Sequence, residues 1–246
     1  MRFSIDYSCV SHIGKCREIN QDNFVCNGYY KDPGTGMYGP DYGRVDENFP
    51  ALFAVFDGMG GESCGEIASY IAAKTAADTS IGSHFLQSLS DYCKNANRKI
   101  CEYAKNNGVS SMGTTAALLA FTKEGIGLCN VGDTKIFRFS ENCLSRISKD
   151  HIITSSYYEK PILTQNLGIS EEEKPIEPFF AKGRYKDGDM FIICSDGLTN
   201  MVSRLKMEML LNHNPYTDVI ETLLDMALDR GGSDDITIIV CKIDLW

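Results

Sequence analysis

Apolar residues fall in short unbroken blocks along much of this chain. Ala51-Leu52-Phe53-Ala54-Val55-Phe56 is one such block, bounded by Pro50 and Gly58. Six residues are too few for a typical helix, and a run without polar alternation predicts a buried strand. Gly113 to Phe121, Gly125 to Val131, Thr134 to Phe139, Met190 to Cys194 and Ile236 to Ile243 read the same way. The links from Gly113 to Phe139 are too short for crossover helices, so an antiparallel meander is expected there. The period then changes in two places. Ile67, Ala68, Ile71, Ala72 and Thr75 share one helical face, with Ser63 and Glu66 spaced as a capping box at its start. From about Ser83 to Asn107, the residues Phe85, Leu89, Tyr92, Cys93, Ala96, Ile100 and Tyr103 recur every three or four positions, and Asn106-Asn107-Gly108 ends the helix. Lys206 to Leu211 and Val219 to Leu228 predict two more helices. Gly28 to Asn48, rich in Gly, Tyr, Asp and Pro, predicts a long surface loop or irregular hairpin between two strands. Strands and helices come in groups rather than in alternation, which predicts α+β layers in one domain over residues 1–246.

Composition narrows the partners. The formal net charge of -9 disfavours nonspecific binding to nucleic acid or to an anionic membrane. Phosphorylated substrates stay compatible with it, because bound metal ions reverse the local sign. No stretch has the length of a membrane-spanning helix and none reads as a signal peptide. The ten cysteines lie mostly in apolar segments without Cys-x-x-Cys spacing, which predicts reduced thiols and a cytoplasmic location. The four histidines are isolated from the cysteines, so a structural zinc site is not expected.

Acidic residues at the ends of the apolar blocks carry the chemistry. Asp57, Asp133 and Asp196 follow predicted strands, while Asp234 and Asp235 precede one. In an antiparallel sheet, strand ends and strand starts share an edge, so these carboxylates can converge. A carboxylate at the mouth of a buried strand is costly unless a cation neutralises it. Oxygen donors alone suit Mg²⁺ or Mn²⁺. A pair of such ions needs no protein nucleophile to hydrolyse a phosphate ester: a hydroxide held between them attacks, and both ions stabilise the developing charge. Arg17, five residues before Asp22, is the guanidinium available to grip the phosphate. Singly, each Asp-Gly is an ordinary turn signal, and the case rests on the set.

Seven motifs run along the chain: Arg17-Glu18-Ile19-Asn20-Gln21-Asp22, Val55-Phe56-Asp57-Gly58-Met59-Gly60-Gly61, Met112-Gly113-Thr114-Thr115, Asn130-Val131-Gly132-Asp133-Thr134, Leu163-Thr164-Gln165-Asn166-Leu167-Gly168, Cys194-Ser195-Asp196-Gly197-Leu198 and Gly232-Ser233-Asp234-Asp235-Ile236-Thr237. In this order the set resembles the metal-dependent serine/threonine protein phosphatases of the PPM (PP2C-type) family, bacterial branch. The resemblance implies a four-layer α-β-β-α sandwich, two antiparallel sheets flanked by helices, with a two-metal centre at one end. It implies that Asp57 bridges two Mn²⁺ or Mg²⁺ ions, that the Gly58 carbonyl binds one, and that Asp196 and Asp234 ligate the other. Asp22 would hold metal-bound water, Arg17 would grip phosphate, and Asp133 would belong to a weaker third metal. Phosphorylated proteins would be the substrates, with a serine/threonine kinase opposing the reaction.

The chain departs from the family pattern at several positions. His12 stands where Asp is frequent, Asp235 where Asn is usual, Asn200 where a second acid serves the third metal, and Met59 where many relatives carry His. The segment between Asp150-His151 and Leu163-Thr164, a longer flap in bacterial relatives, is short. These changes also fit a catalytically weak or silent regulatory or binding module on the same fold, and a small-molecule phosphate ester is a further substrate class.

Overall fold

The structure is a computed structural model that describes residues 3–46, 50–59, 64–154, 161–170 and 172–246. The chain begins with β1 (Phe3–His12), β2 (Asn23–Cys26), β3 (Met37–Asp46), β4 (Ala51–Phe56) and the two-residue β5 (Gly58–Met59). Helices α1 (Gly65–Ala77) and α2 (Phe85–Asn107) follow. Next come β6 (Gly113–Thr114), β7 (Ala116–Thr122), β8 (Gly125–Val131), β9 (Lys135–Ser140) and β10 (Cys143–Arg146). A short ribbon, β11 (Ile152–Ile153) with β12 (Ile162–Leu163), precedes β13 (Phe179–Gly183) and β14 (Met190–Cys194). The chain finishes with α3 (Asp196–Thr199), α4 (Arg204–His213), α5 (Tyr216–Asp229) and β15 (Ile236–Leu245).

Two antiparallel sheets form the centre, one ordered β10-β9-β14-β15-β1-β3 and the other β13-β8-β7-β4-β2. The unbroken apolar blocks follow from this stacking. Successive side chains of a strand point to opposite faces. In β4, Leu52, Ala54 and Phe56 pack against α1 and α2, while Ala51, Phe53 and Val55 pack against the other sheet. Between the sheets, Phe53 and Phe191 each meet the ring of Phe121 edge-on, with centroids 5.8 and 5.3 Å away. The outer face of the six-stranded sheet buries Val10, Ile192, Val240 and their neighbours under α3, α4 and α5. Helices, sheet, sheet and helices make four layers, the expected α+β sandwich. No helix among the described residues is long and apolar enough to cross a membrane.

Several expectations change in detail. Ser63, the expected cap of α1, lies outside the described residues, and Cys64 precedes the helix with φ at 77°. The block from Gly113 to Phe121 is two strands, broken at Thr115, whose side chain is needed beside Asp57. The expected loop from Gly28 to Asn48 contains a ten-residue edge strand, β3. β3 is largely exposed, and a register shift opposite Cys9 and Ser11 makes room for Pro40 in the ladder. An edge strand tolerates proline and buries little, so it shows no apolar run.

Candidate metal centre

The strand register brings the acids to one end of the sandwich. The start of β2 lies opposite the end of β4, with Asn23 across from Phe56. The end of β14 meets the start of β15, Cys194 across from Ile238, and the end of β8 meets the start of β7, Val131 across from Ala116. Asp22, Asp57, Asp133, Asp196, Asp234 and Asp235 therefore leave their strands at the same edge.

Asp57 is the hub. Its N–H donates to the Thr115 hydroxyl at 2.9 Å, and its carbonyl accepts from the Thr115 N–H at 2.9 Å and the Thr114 hydroxyl at 3.0 Å. Three bonds to β6 and its break fix the backbone, which leaves the carboxylate aimed by geometry rather than by side-chain partners. Burial holds the Asp57 carboxyl well above the ordinary range, and the charges of Asp22, Asp196, Asp133 and Asp234 push in the same direction. Gly58 is required beside it: a Cβ there would collide with the carbonyl oxygens of Gln21 and Gly65. Gly197 has the corresponding role across the site, where a Cβ would strike the Asp235 carbonyl oxygen. That close approach seats Asp196 at the start of α3 against the Asp234-Asp235 turn.

Asp22 is only 1% exposed, and neither of its carboxylate oxygens accepts a hydrogen bond. It is pushed up to about 8, first by burial and then by the charge of Asp235; the nearby Ser195 and Thr237 hydroxyls and Lys31 act the other way. Asp133 is pushed up to about 6 by burial and by Asp196, with Lys135 opposing. An ionised carboxylate buried without partners is strongly unfavourable. Asp22 is in that position, and a set of carboxylates within electrostatic reach of it and of Asp57 fits hard divalent cations by the chemistry of its donors. Among the described residues, no three acidic, His or Cys side chains are gathered closely enough to form a protein-only cage. Mg²⁺ characteristically keeps several waters and takes few carboxylates, so a water-rich pair of ions suits this spacing.

The expected phosphate-gripping residue has a partner within the chain. Arg17 forms a two-pronged pair with Asp234, Nε to Oδ1 at 2.7 Å and Nη2 to Oδ2 at 2.8 Å. The fork that takes a carboxylate is the fork that takes a phosphate. The departures noted in the sequence also acquire local functions. Neutral His12 accepts the Gly14 N–H on Nδ1 at 2.9 Å, and its burial lowers its pKa in keeping with that state. Asn200 donates to Asp196 Oδ2 at 3.0 Å. Asp235 Oδ2 accepts the Gln21 N–H at 2.9 Å. Gly60 and Gly61 of the Asp57 motif and residues 155–160 of the short flap lie outside the described residues.

Sequence reasoning missed two groups. Lys31, in the expected loop, is 3% exposed and faces Asp22 and Asp235. His151 accepts the Gly132 N–H on Nδ1 at 3.1 Å while its own N–H donates to the Gly132 carbonyl at 2.9 Å, which holds the turn carrying Asp133. Position in a polar segment hid both, although His151 does lie at the flap boundary.

The family model described as protein phosphatase 2C matches residues 39–239. The chain belongs to the protein phosphatase 2C family. The match includes Asp57, Asp133, Asp196 and Asp234 and begins after Arg17 and Asp22. Protein phosphatase PhpP of Streptococcus pneumoniae is 26% identical over 261 residues, covering 98% of this chain and 98% of that protein. Serine/threonine protein phosphatase PstP of Mycobacterium tuberculosis is 26% identical over 206 residues, covering 78% of this chain, and the aligned region spans 40% of PstP's length. The solved catalytic domain of PstP, in complex with two manganese ions, superposes with a TM-score of 0.79 at 24% identity, covering 99% of this chain and 100% of that domain. That likeness is one of fold.

Proposed function

We propose that residues 1–246 form a single phosphatase domain that hydrolyses phosphoserine and phosphothreonine in proteins with the help of two Mg²⁺ or Mn²⁺ ions. The observation that carries the reading is the convergence of Asp22, Asp133, Asp196 and Asp234 on Asp57 at one end of the sandwich. Asp57, the Gly58 carbonyl, Asp196 and Asp234 would hold the pair of ions, with Asp22 set behind them to orient water. When bound, the ions supply Lewis acidity that makes water a nucleophile near neutral pH and neutralises charge on the phosphate. Arg17, exposed at the rim and long enough to swing from Asp234, presents a planar fork to the phosphate oxygens. The Thr114 and Thr115 bonds keep Asp57 fixed throughout.

A third ion at Asp133 is expected to bind weakly. Asn200, a neutral donor, stands where a second acid would serve, and Lys135 places a cation beside Asp133. The kinase whose work this activity reverses would phosphorylate serine or threonine. Six buried cysteines suit a reducing, cytoplasmic setting.

The test is release of phosphate from a phosphothreonine peptide with millimolar Mn²⁺ and then with excess chelator. Turnover that vanishes in chelator is expected; turnover that persists would remove the metal mechanism, and bound metal without turnover would favour the silent module. A variant separates binding from chemistry at the rim. Arg17→Ala is expected to raise KM about tenfold with a smaller fall in kcat, because a ground-state phosphate contact is lost. It should also leave Mn²⁺ binding no weaker, since Asp234 loses a competing cation. A large loss of kcat at constant KM would contradict the assignment.

A further inference from the structure

Lys31 is a lysine in an unusual place. It sits 3% exposed in the turn between β2 and β3, and its ammonium donates to the Thr35 carbonyl at 2.9 Å. The turn is stitched to the segment that carries Asp22. Asn23 donates to the Lys31 carbonyl at 3.0 Å and accepts the Lys31 N–H at 3.3 Å, and Asn20 donates to the Gly36 carbonyl at 3.2 Å. Asn20 also accepts the Asp22 N–H at 3.0 Å, so the same side chain ties the lysine turn to the acid. On the other side of Asp22 stands Asp235, 5% exposed, with Oδ2 on the Gln21 N–H and Oδ1 without a hydrogen-bond partner. Lys31 forms no ion pair with either acid; Asp22, then Asp235 and the Cys9 thiol, act on its ammonium through their charge across the buried space. Buried lysine is rare unless it neutralises something, and a buried carboxylate is rare unless it is neutralised.

We propose that Lys31 is a resident counter-ion of the metal centre, set against the buried carboxylates of Asp22 and Asp235, and that the balance of these charges sets how tightly the centre holds divalent cations. The inference rests on the metal-centre reading. The amide of an asparagine at 235 could accept the Gln21 N–H just as the carboxylate does, so the hydrogen bond does not require the charge. The charge has another effect: it strengthens the field that attracts cations, while Lys31 weakens that field and keeps the acids tolerable before ions arrive. Lys31 thus acts through Asp22 and Asp235 as a positioning and tuning residue, without touching substrate.

A charge cycle tests this. Lys31→Met, Asp235→Asn and the double variant are compared with the parent at pH 7.0 by calorimetric titration with Mn²⁺ and by thermal melting in excess chelator. Opposite signs are expected from the two readouts. Lys31→Met should melt lower without metal yet bind Mn²⁺ about tenfold more tightly, because a nearby positive charge has gone. Asp235→Asn should melt higher without metal and bind about tenfold more weakly. The double variant should return close to the parent in both. A packing role for Lys31 predicts lower melting together with weaker binding, and no rescue by Asp235→Asn; that outcome overturns the proposal. If Lys31→Met does not fold, Asp235→Asn decides alone, and unchanged or tighter binding overturns it. A parent that binds no Mn²⁺ removes the metal-centre reading; the melting cycle in chelator then still judges the charge pairing, with rescue supporting it and its absence overturning it.

Discussion

Asp57→Asn is expected to lower kcat by at least about 10³-fold while the metal-free protein becomes more stable. A thousandfold loss corresponds to about 4 kcal/mol of transition-state stabilisation, a reasonable loss when the hub of a two-ion site loses its charge. The gain in stability has a separate origin. In the metal-free protein, the half-buried Asp57 faces the charges of Asp22, Asp196, Asp133 and Asp234. An amide of the same shape needs neither a charge nor the proton that folding otherwise forces onto this carboxyl, and it retains the backbone bonds to Thr114 and Thr115. Melting in chelator should therefore rise by several degrees, and the Mn²⁺-induced rise seen in the parent should largely disappear. An Asp57→Asn protein that melts lower in chelator and keeps its turnover would show that this carboxylate is a structural acid.

Without metal, stability should fall as pH rises from 6.5 to 8, and millimolar Mn²⁺ should abolish that fall. Asp22 is pushed up to about 8, and Asp57 is also held well above the ordinary carboxylate range. In the unfolded chain both lose their protons near pH 4. Between pH 4 and 8 the folded state thus binds more protons than the unfolded state, and the unfolding free energy decreases as pH increases. His12 and His151, both lowered by burial, act in the opposite sense, but only below about pH 6.5. Lys31, lowered to about 8 by burial, adds stability with rising pH only above that value. The window from 6.5 to 8 isolates the carboxylates. A drop of about 5 °C or more in melting temperature is expected there in chelator. Bound ions replace the protons, so the loaded protein should be flat or should gain stability across the same window. A metal-free melting temperature that rises with pH would contradict the buried-acid geometry.

The sequence made the double-covered strands and the amphipathic helices legible because burial on defined faces writes a period. Ala51 to Phe56 had to be apolar at every position, since alternate residues enter two different cores. The face of α2 and its end at Gly108, which adopts φ of 67°, were equally readable. The acids were visible because each one interrupts an apolar strand at its end. What stayed hidden depended on partners remote in sequence. β3 is an edge strand with little buried surface, and β1 alternates Ser with apolar residues, so neither shows a block. The pairing of Arg17 with Asp234 spans 217 positions, and no local pattern announces it. Lys31 looked like one more polar residue in a turn, because only the folded neighbours reveal that it is sealed beside two carboxylates.

The central claim is that remote carboxylates surround a pair of hard cations at the end of the sandwich. Anomalous diffraction at the manganese edge, from a crystal grown with Mn²⁺, tests it most directly. Two peaks beside Asp57 are expected, one near the Gly58 carbonyl and one near Asp196 and Asp234, with Arg17 released from Asp234. An absence of manganese at that edge, with Arg17 still clasping Asp234, would contradict the account.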